Sequence, residues 1–556
     1  MAATDLPLES GIDKAHRRVI FASSLGTVFE WYDFYLYGSL AAIMSKQFFS
    51  DVNETTGFIF ALLAFAAGFF VRPVGALVFG RLGDLVGRKH TFLITIVIMG
   101  LGTALIGVLP SYSQVGLLAP VLLIGLRLAQ GLALGGEYGG AATYVAEHAP
   151  FGRRGLYTSW IQTTATLGLF LSLLVVLITR SLLGAKFDSW GWRIPFLVSV
   201  GLLVVSVYIR MQLDESPVFL EMKQQARLSK APLRESVGRR ENLKLVVLAL
   251  LGATAGQAVV WYAGQFYALF FLTQVLKVDA QAANLLIAAA LVIGTPFFIV
   301  FGLLSDKIGR KKIVLSGCLL AALTYVPIFQ GITHYANPAI ESAAREYPVT
   351  VLADPNSCSF QFDPVGKKTF LQSCDVAKAA LAKAGVPYTN ETAPAGALAR
   401  VRVGTLEISS VEGTRMSAAA FKKASGEFSK TLGGKLKAAG YPAAADPAQI
   451  NYPMVLLLLV VLVIYVTMVY GPIAAWLVEL FPAKIRYSSM SLPYHIGNGW
   501  FGGSLPAISF ALVALTGNMY YGLRYPIIVA LMTLVIGLLF LPETKDRHPD
   551  SVVKTP

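Results

Sequence analysis

Long apolar runs alternate with short polar segments along this chain, and twelve of the runs are long enough to form membrane-spanning helices. A helix needs about 20 apolar residues to cross a hydrocarbon core of about 30 Å. The first six runs lie at 19–45, 57–79, 91–109, 117–146, 157–183 and 194–212. The other six lie at 243–275, 281–304, 313–331, 453–478, 488–516 and 525–541. This pattern predicts an all-α membrane protein with twelve transmembrane helices.

One short pattern of glycine, aspartate and basic residues occurs twice, at an offset of 222 positions. Its copies are Gly80, Asp84, Gly87, Arg88 and Lys89, then Gly302, Asp306, Gly309, Arg310 and Lys311. Each copy lies between two apolar runs, as expected if one bundle of helices has been duplicated. The repeat therefore predicts two pseudo-symmetric six-helix halves, a plan common among transporters.

A second repeat has a larger offset. Glu147, Pro150 and Arg154 match Glu479, Pro482 and Arg486 at an offset of 332 positions. Because the first offset is 222, about 110 residues must be inserted into the second half. The sequence thus predicts an insertion between the ninth and tenth helices.

The composition of the insertion predicts a small α+β domain. From 334 to 450 the apolar runs stop, and strand-like pieces appear at 349–352 and 401–408, with helical patterns at 376–384 and 418–439. We therefore divide the chain into five parts: an N-terminal half (1–213), a linker (214–242), three helices (243–331), the inserted domain (332–451), and three helices with a tail (452–556).

The distribution of charged residues predicts how the chain is oriented in the membrane. Hydrophobic residues make up 55% of the chain and charged residues 14%, with a mean hydropathy of +0.61, which excludes a soluble protein. Basic clusters fall on alternate sides of successive runs and hence on one face, which the positive-inside rule makes cytoplasmic. These clusters contain Lys14, Arg17, Arg18, Arg81, Arg88, Lys89, Arg153, Arg154, Lys484, Arg486, Lys545, Arg547 and the basic residues of 307–312. Both termini are then cytoplasmic and the insertion periplasmic or extracellular. The net charge of +14 reflects this bias, not nucleic-acid binding.

Cysteine usage agrees with an external insertion. Cys358 and Cys374 both fall within it and are predicted to form a disulfide, although two separate thiols remain an alternative. The insertion contains no convincing nucleophile–base pair or metal-ligand cluster, and His334 is its only histidine. We therefore expect no enzyme activity, no cofactor and no metal.

Ionisable residues inside the apolar runs are candidates for proton coupling, because a charge in a membrane must be paired or hydrated. Glu30 and Asp33 lie three residues apart on one helix face, and Arg127 in the fourth run is the expected partner of Asp33. Glu137 lies among glycines in the same run, and Arg72 is its candidate partner. A fixed ion pair that serves only packing is the alternative for Asp33 and Arg127.

Polar and aromatic residues at membrane depth are candidates for binding a substrate. Gln257, Trp261 and Gln265 recur at four-residue spacing and would form a stripe on one helix face. His495 suits hydrogen-bonded packing as well as proton transfer. The full set of substrate-binding candidates is Tyr32, Arg72, Gln130, Tyr138, Gln257, Trp261, Tyr262, Gln265, Tyr494 and Asn498.

The residues of the two repeats are predicted to act as a conformational latch. The aspartates can accept hydrogen bonds at a helix N-terminus, and the basic residues can bind a facing carboxylate or lipid phosphate. A topology signal made only of positive charge would explain Arg88 but not the spaced glycines. The predicted latch residues are Gly80, Asp84, Arg88, Glu147, Arg154, Gly302, Asp306, Arg310, Glu479 and Arg486.

These motifs resemble the major facilitator superfamily. Residues 80–89 are similar to its signature loop, 302–311 to the second-half echo, and Arg127, Gln130 and Gly131 to the fourth-helix motif associated with proton coupling. Segments 215–217 and 542–545 resemble its sugar-porter-like branches. Residues 30–35, Arg72 with Pro73, and the glycine-flanked Glu137 are similar to the metabolite:proton symporter family.

The resemblance implies proton-coupled uptake of a small organic acid or zwitterion by a monomer in a bacterial cytoplasmic membrane. The insertion is larger than the loops expected in that family, and the resemblance assigns it no role. Two alternatives stay open, a proton-coupled antiporter of the same superfamily and a transporter-like receptor that uses the external domain.

Overall fold

The computed structural model describes residues 14–49, 54–361 and 369–547, and it describes no side chain for some helical residues near the start of the chain, including Glu30. The N-terminal half is helical throughout. Its helices are α1 (Lys14–Ser39), α2 (Ala41–Phe48), α3 (Glu54–Leu85), α4 (Arg88–Val108), α5 (Tyr112–Val115), α6 (Leu118–His148), α7 (Arg154–Leu183) and α8 (Arg193–Met211), with a π-helical turn at Phe187–Gly191. The linker adds two short helices, α9 (Pro217–Gln224) and α10 (Pro232–Ser236).

The second half begins with three long helices, α11 (Arg240–Val275), α12 (Ala280–Ile308) and α13 (Arg310–Ala336). The inserted segment follows as α14 (Pro338–Glu346), β1 (Val349–Ala353), a 3-10 turn (Pro355–Ser357), α15 (Ser373–Ala384), β2 (Thr389–Thr392), β3 (Arg400–Val403), β4 (Leu406–Ser409) and α16 (Ala418–Ala438). Three more long helices complete the chain, α17 (Tyr452–Leu480), α18 (Ala483–Thr516) and α19 (Tyr521–Phe540).

Among the described residues, ten helices are long and apolar enough to cross a membrane: α4, α6, α7, α8, α11, α12, α13, α17, α18 and α19. Helices α1 and α3 occupy the first two predicted runs. The helical character of the bundle is confirmed, and the count of twelve membrane crossings stays a prediction.

Small residues bring the helices of each half close together. A Cβ atom added to Gly75 of α3 would lie 2.0 Å from the carbonyl oxygen of Leu132 in α6, and one added to Gly131 would lie 2.4 Å from the oxygen of Gly68. Glycine at these positions lets the two backbones touch. The two halves then meet along a pseudo-symmetric pair of contacts, α3 with α18 and α12 with α7.

The inserted segment forms a four-stranded sheet in the order β2-β1-β3-β4, with β1 parallel to β2 and antiparallel to β3. The strand predicted at 349–352 is confirmed as β1. The single strand predicted at 401–408 is instead the hairpin β3–β4, because the chain turns at Gly404, whose φ is +57°. The predicted disulfide joins Cys358 to Cys374.

The inserted segment is bonded to the ends of helices in the second half. The backbone N–H of Tyr388 donates to the oxygen of Gly517 at 3.0 Å, Asn390 Nδ2 donates to Thr516 at 3.0 Å, and Lys277 Nζ donates to Lys383 at 2.6 Å. Helix α13 begins at the predicted latch residue Arg310 and contains 27 residues, ending beside the segment. At 1.5 Å per residue, the segment and the latch are therefore about 40 Å apart.

Candidate functional site

A cavity lies between the two halves. Helices α1, α3 and α6 line it from the first half, and α11, α17 and α18 from the second. Its lining residues are Thr27, Trp31, Phe69, Arg72, Leu134, Tyr138, Trp261, Tyr262, Phe266, Tyr470, Tyr494, His495 and Asn498. Six of the ten substrate-binding candidates are in this set: Arg72, Tyr138, Trp261, Tyr262, Tyr494 and Asn498.

Aromatic rings from the two halves meet across the cavity. Tyr138 of α6 stacks on Tyr494 of α18 with ring centroids 3.6 Å apart, and Trp31 of α1 lies 6.2 Å from Trp261 of α11. The hydroxyl groups of Tyr470 and Tyr494 are hydrogen-bonded at 2.6 Å. These contacts form apolar walls with polar edges, which suits a ligand that has a flat or cyclic body and polar substituents.

Arg72 is the one charged residue among the described residues that line this cavity. Its guanidinium lies over the Phe69 ring, 4.3 Å from the ring centroid. Asn498 exchanges hydrogen bonds with Gln257, at 3.2 and 3.3 Å, so Gln257 supports a lining residue without lining the cavity itself. A guanidinium among aromatic walls favours an anionic ligand.

Of the predicted stripe on α11, Trp261 lines the cavity, and Gln257 and Gln265 do not. Gln265 is half-buried and does not line the cavity, where Phe266 stands instead. The helix has a π-helical turn at Ala263–Tyr267, which adds a residue to the local repeat. Phe266 therefore follows Trp261 on the cavity side at a spacing of five residues.

Two other substrate-binding candidates lie inside the first half, away from the cavity. The hydroxyl of Tyr32 donates to the carbonyl oxygen of Pro195 at 2.7 Å. Gln130 accepts from Arg127 at 2.8 Å and donates to Thr103 at 2.6 Å. Both side chains use their polar groups to join helices of one half.

Asp33 is buried, and its carboxylate accepts a hydrogen bond of 2.6 Å from Ser199 on α8. It lines a second, smaller cavity with Ser199, Ser206 and apolar residues. The ion pair expected with Arg127 is not among those formed within 4.0 Å by the described residues. Arg127 donates to Gln130 and lies 4.3 Å from the ring centroid of Tyr37. The side chain of Glu30 lies outside the described residues.

Glu137 is fully buried and pairs with Arg210 of α8, with 3.6 Å between Oε1 and Nη2. The guanidinium of Arg210 lies over the Phe92 ring at 3.4 Å from the centroid. Arg72, the candidate partner from the sequence, lines the cavity instead. Arg210 was missed because an arginine near the end of an apolar run also fits a basic residue at the membrane surface.

The first latch repeat contacts the second half. The Asp84 carboxylate accepts hydrogen bonds from the Ser488 hydroxyl at 2.7 Å and from the Ser488 backbone at 2.9 Å. Ser488 lies in the first turn of the α-helical segment Arg486–Ile496 within α18. Arg486 in turn donates to Glu147 at 2.8 Å. An aspartate at a helix N-terminus is stabilised by free N–H groups and the helix dipole.

The second repeat makes the equivalent contacts in the opposite direction. Asp306 accepts from the backbone N–H groups of Gly155 and Leu156 at 2.8 Å each, in the first turn of α7. Arg310 forms two hydrogen bonds with Glu479, at 3.0 and 3.1 Å, and Arg154 lies 3.8 Å from Glu479. The ten predicted latch residues are thus brought together at one end of the bundle.

Two glutamates, one following each six-helix half, also bind helix N-termini at this end of the bundle. Glu215 accepts from the backbone N–H groups of Arg88 and Lys89 at 3.0 and 3.1 Å, and Glu543 accepts from those of Arg310 and Lys311 at 2.9 and 3.1 Å. The sequence showed both as motif residues but not as helix caps. The offset between Glu215 and Glu543 is 328 positions, four fewer than that of the second repeat, so it does not by itself pair them.

Comparison with known proteins agrees with this architecture. A family model for the sugar (and other) transporter family matches residues 19–249. The chain is 36% identical to the shikimate transporter of Escherichia coli over 323 residues, which cover 57% of this chain and 72% of that protein. It is 31% identical to a putative metabolite transport protein of Haemophilus influenzae over 537 residues, which cover 96% and 95%.

A proline/betaine transporter of Escherichia coli is also 36% identical over 326 residues, although the match spans only 64% of that protein. Among solved structures, that of a proton:xylose symporter superposes with a TM-score of 0.59 at 16% identity, covering 96% of this chain and 97% of that one. At that identity the likeness concerns the fold alone.

The duplicated bundle, the cavity between its halves and the paired contacts at one end define a membrane transporter rather than an enzyme. The chain belongs to the major facilitator superfamily, in the group that contains metabolite transporters for shikimate and for proline and betaine.

Proposed function

We propose that this protein is a proton-coupled symporter that imports a small organic acid or zwitterionic metabolite. The observation that carries the proposal is the cavity between the halves, where Arg72 stands among aromatic walls. The guanidinium can bind the carboxylate that both kinds of metabolite carry. The aromatic faces can hold an apolar ring or a quaternary ammonium group.

Proton coupling is assigned to Asp33, with Arg127 and Glu137 as coupled groups. Asp33 is buried within the first half, where its carboxylate accepts a hydrogen bond from the Ser199 hydroxyl. A carboxylate in such a place can exist protonated or charged, and its preference changes when neighbouring helices move. Glu30, three residues earlier, remains a second candidate from the sequence.

Transport is proposed to occur by alternating access, with the ten latch residues closing one end of the bundle. The contacts from Asp84 to α18 and from Asp306 to α7 join opposite halves. Their loss would let the halves rock apart at that end and reseal at the other. A single chain contains both halves and the cavity, so the monomer is proposed as the functional unit.

We further propose a bacterial cytoplasmic membrane as the location, with both termini and the latch in the cytoplasm. The clusters of basic residues support this orientation, and the Cys358–Cys374 disulfide suits an insertion exposed to an oxidising compartment. The antiporter and receptor alternatives have no observation in their favour.

The proposal is tested by measuring ligand binding to purified wild-type protein and to an Arg72→Gln variant. Loss of a charged hydrogen-bonding group should weaken organic-acid binding on the order of 10- to 100-fold. The matched control is Arg81→Gln, an exposed arginine on the same helix, which should bind as the wild type does. Equal affinity of the Arg72→Gln and wild-type proteins for every acid and betaine that binds would contradict the proposed site.

A further inference from the structure

His495 is a buried polar residue of the cavity wall that neither the proposed coupling nor the latch uses. The residue is 3% exposed and lines the cavity together with Arg72 and Asn498. One ring nitrogen is directed at the backbone of Gly135, which can accept a hydrogen bond from it. No hydrogen bond of normal distance and angle reaches the other ring nitrogen from the described residues. Buried polar atoms are usually satisfied, so this second nitrogen is ready for a partner that the protein alone does not supply.

The surroundings of His495 favour a neutral imidazole. None of the described residues that line the cavity is an aspartate or glutamate, and the guanidinium of Arg72 belongs to the same lining. A second positive charge would lack a counter-charge and would be repelled by the first. The ring edge-packs against Tyr494, with centroids 5.1 Å apart, which fixes its position in the wall.

A neutral imidazole presents one N–H donor and one nitrogen acceptor. A carboxylate can satisfy the donor only, and a quaternary ammonium group can satisfy neither nitrogen. A hydroxyl group both donates and accepts, so it can satisfy whichever nitrogen it meets. A ligand that carries a carboxylate and hydroxyl groups would therefore use both Arg72 and His495.

We propose that His495 is a substrate-binding residue that makes this cavity selective for hydroxylated organic acids, with Arg72 holding the carboxylate and the imidazole holding a hydroxyl. This inference rests on the proposed function, because it assumes that the cavity binds the cargo. The inference predicts that the cavity prefers hydroxy acids to betaines, whereas the proposed function allows both kinds of substrate.

The test compares two acids that share a ring and a carboxylate, shikimate and cyclohex-1-ene-1-carboxylate, which lacks the three hydroxyl groups. Their dissociation constants are measured by calorimetry on the full-length protein in detergent. Wild-type protein should bind the hydroxylated acid on the order of 10- to 100-fold more tightly. His495→Phe keeps an aromatic ring against Tyr494 and should reduce this preference about tenfold, mainly by weakening shikimate binding.

The control is His334→Phe, because His334 is exposed at the end of α13 and pairs with Glu341. It should keep the wild-type preference. If His495→Phe does not remain folded, His495→Gln carries the test, since its amide keeps a donor and an acceptor and should retain part of the preference.

The possible results separate the inference from the proposed function. If wild-type protein binds both acids equally, or if the His495 variants weaken both acids by the same factor, the inference is overturned while the proposed function stands. If neither these acids nor any other organic acid binds to wild-type protein, an organic-acid cargo is excluded, and the inference fails with it.

Discussion

At the scale of single residues, Glu137 and Arg210 form a buried ion pair within the N-terminal half. Both side chains are at most 1% exposed, and their charged atoms lie 3.6 Å apart. The Cβ that an alanine at Gly26 would add lies 2.1 Å from Nη2 of Arg210, so α1 leaves room for the guanidinium only because residue 26 is glycine. The pair therefore depends on three helices, α1, α6 and α8.

Removing one member of this pair should destabilise the protein more than removing both. Arg210→Met leaves the Glu137 carboxylate buried with its counter-charge gone, at a cost of about 3–5 kcal/mol. Glu137→Leu combined with Arg210→Met should recover most of this loss. Thermal unfolding of the purified single and double variants measures the difference, and a double variant whose loss equals the sum of the single losses would show that the two charges are not coupled.

The sequence identified Asp33, Arg127, Glu137 and Arg72 as buried charges, but it paired them incorrectly. Hydropathy shows that a charge lies within a helix, and spacing shows the helix face. Neither gives the rotation of one helix against the next. Arg210 had no distinguishing signal, since it stands where a basic residue at a membrane surface is also expected.

At the scale of helices, the proposed latch is a pair of equivalent crossings between the halves. In one, α3 carries Asp84, near its end, against the first turn of an α-helical segment of α18; in the other, α12 carries Asp306 against the first turn of α7. Glycine makes the close approach possible. A Cβ at Gly80 would lie 2.7 Å from Cα of Ser488, and one at Gly302 would lie 2.4 Å from Oγ of Ser159.

Gly80→Ala should loosen the latch, because the added methyl group overlaps the backbone of α18. The effect can be measured as the thiol-labelling rate of a cysteine placed at Ala483, a buried latch-end residue, in a Cys318→Ser background. We expect the rate to rise on the order of tenfold.

Gly125→Ala is the control for this substitution, since a Cβ at that helical glycine meets no atom within 4 Å. Its labelling rate should equal that of the parent. Equal rates in the Gly80 and Gly125 variants would show that the approach of α3 to α18 does not set the opening of this end.

The repeats predicted which residues meet at this end of the bundle, because equivalent positions in the two halves meet equivalent partners. The same reasoning could not predict α11. Its π-helical turns lie at Leu250–Thr254, Ala263–Tyr267 and Phe271–Val275, and they change which side chains share a helix face. No simple spacing of residues in the sequence predicts these turns. Phe266 in the cavity and Gln265 outside it are the consequence.

At the scale of the whole molecule, three features follow one another in space along the long axis of the bundle. The inserted segment is bonded to helix ends of the second half, the aromatic cavity with Arg72 lies between the halves, and the latch joins them at the far end. Asp33 lies within the first half, beside a cavity of its own. The proposed ligand site and the proposed proton site are therefore separate, and we expect helix movement to couple them.

We propose that a proton on Asp33 drives substrate accumulation, and gradient-driven uptake tests this role most directly. Asp33→Asn keeps an oxygen that can accept from Ser199 but cannot bind and release a proton. In proteoliposomes, the variant should still exchange labelled organic acid across the membrane at equal pH, while uptake driven by an imposed pH gradient should be lost. Asp188→Asn, at an exposed aspartate, should accumulate substrate as wild type does. Undiminished gradient-driven accumulation by Asp33→Asn would show that Asp33 is not the proton carrier.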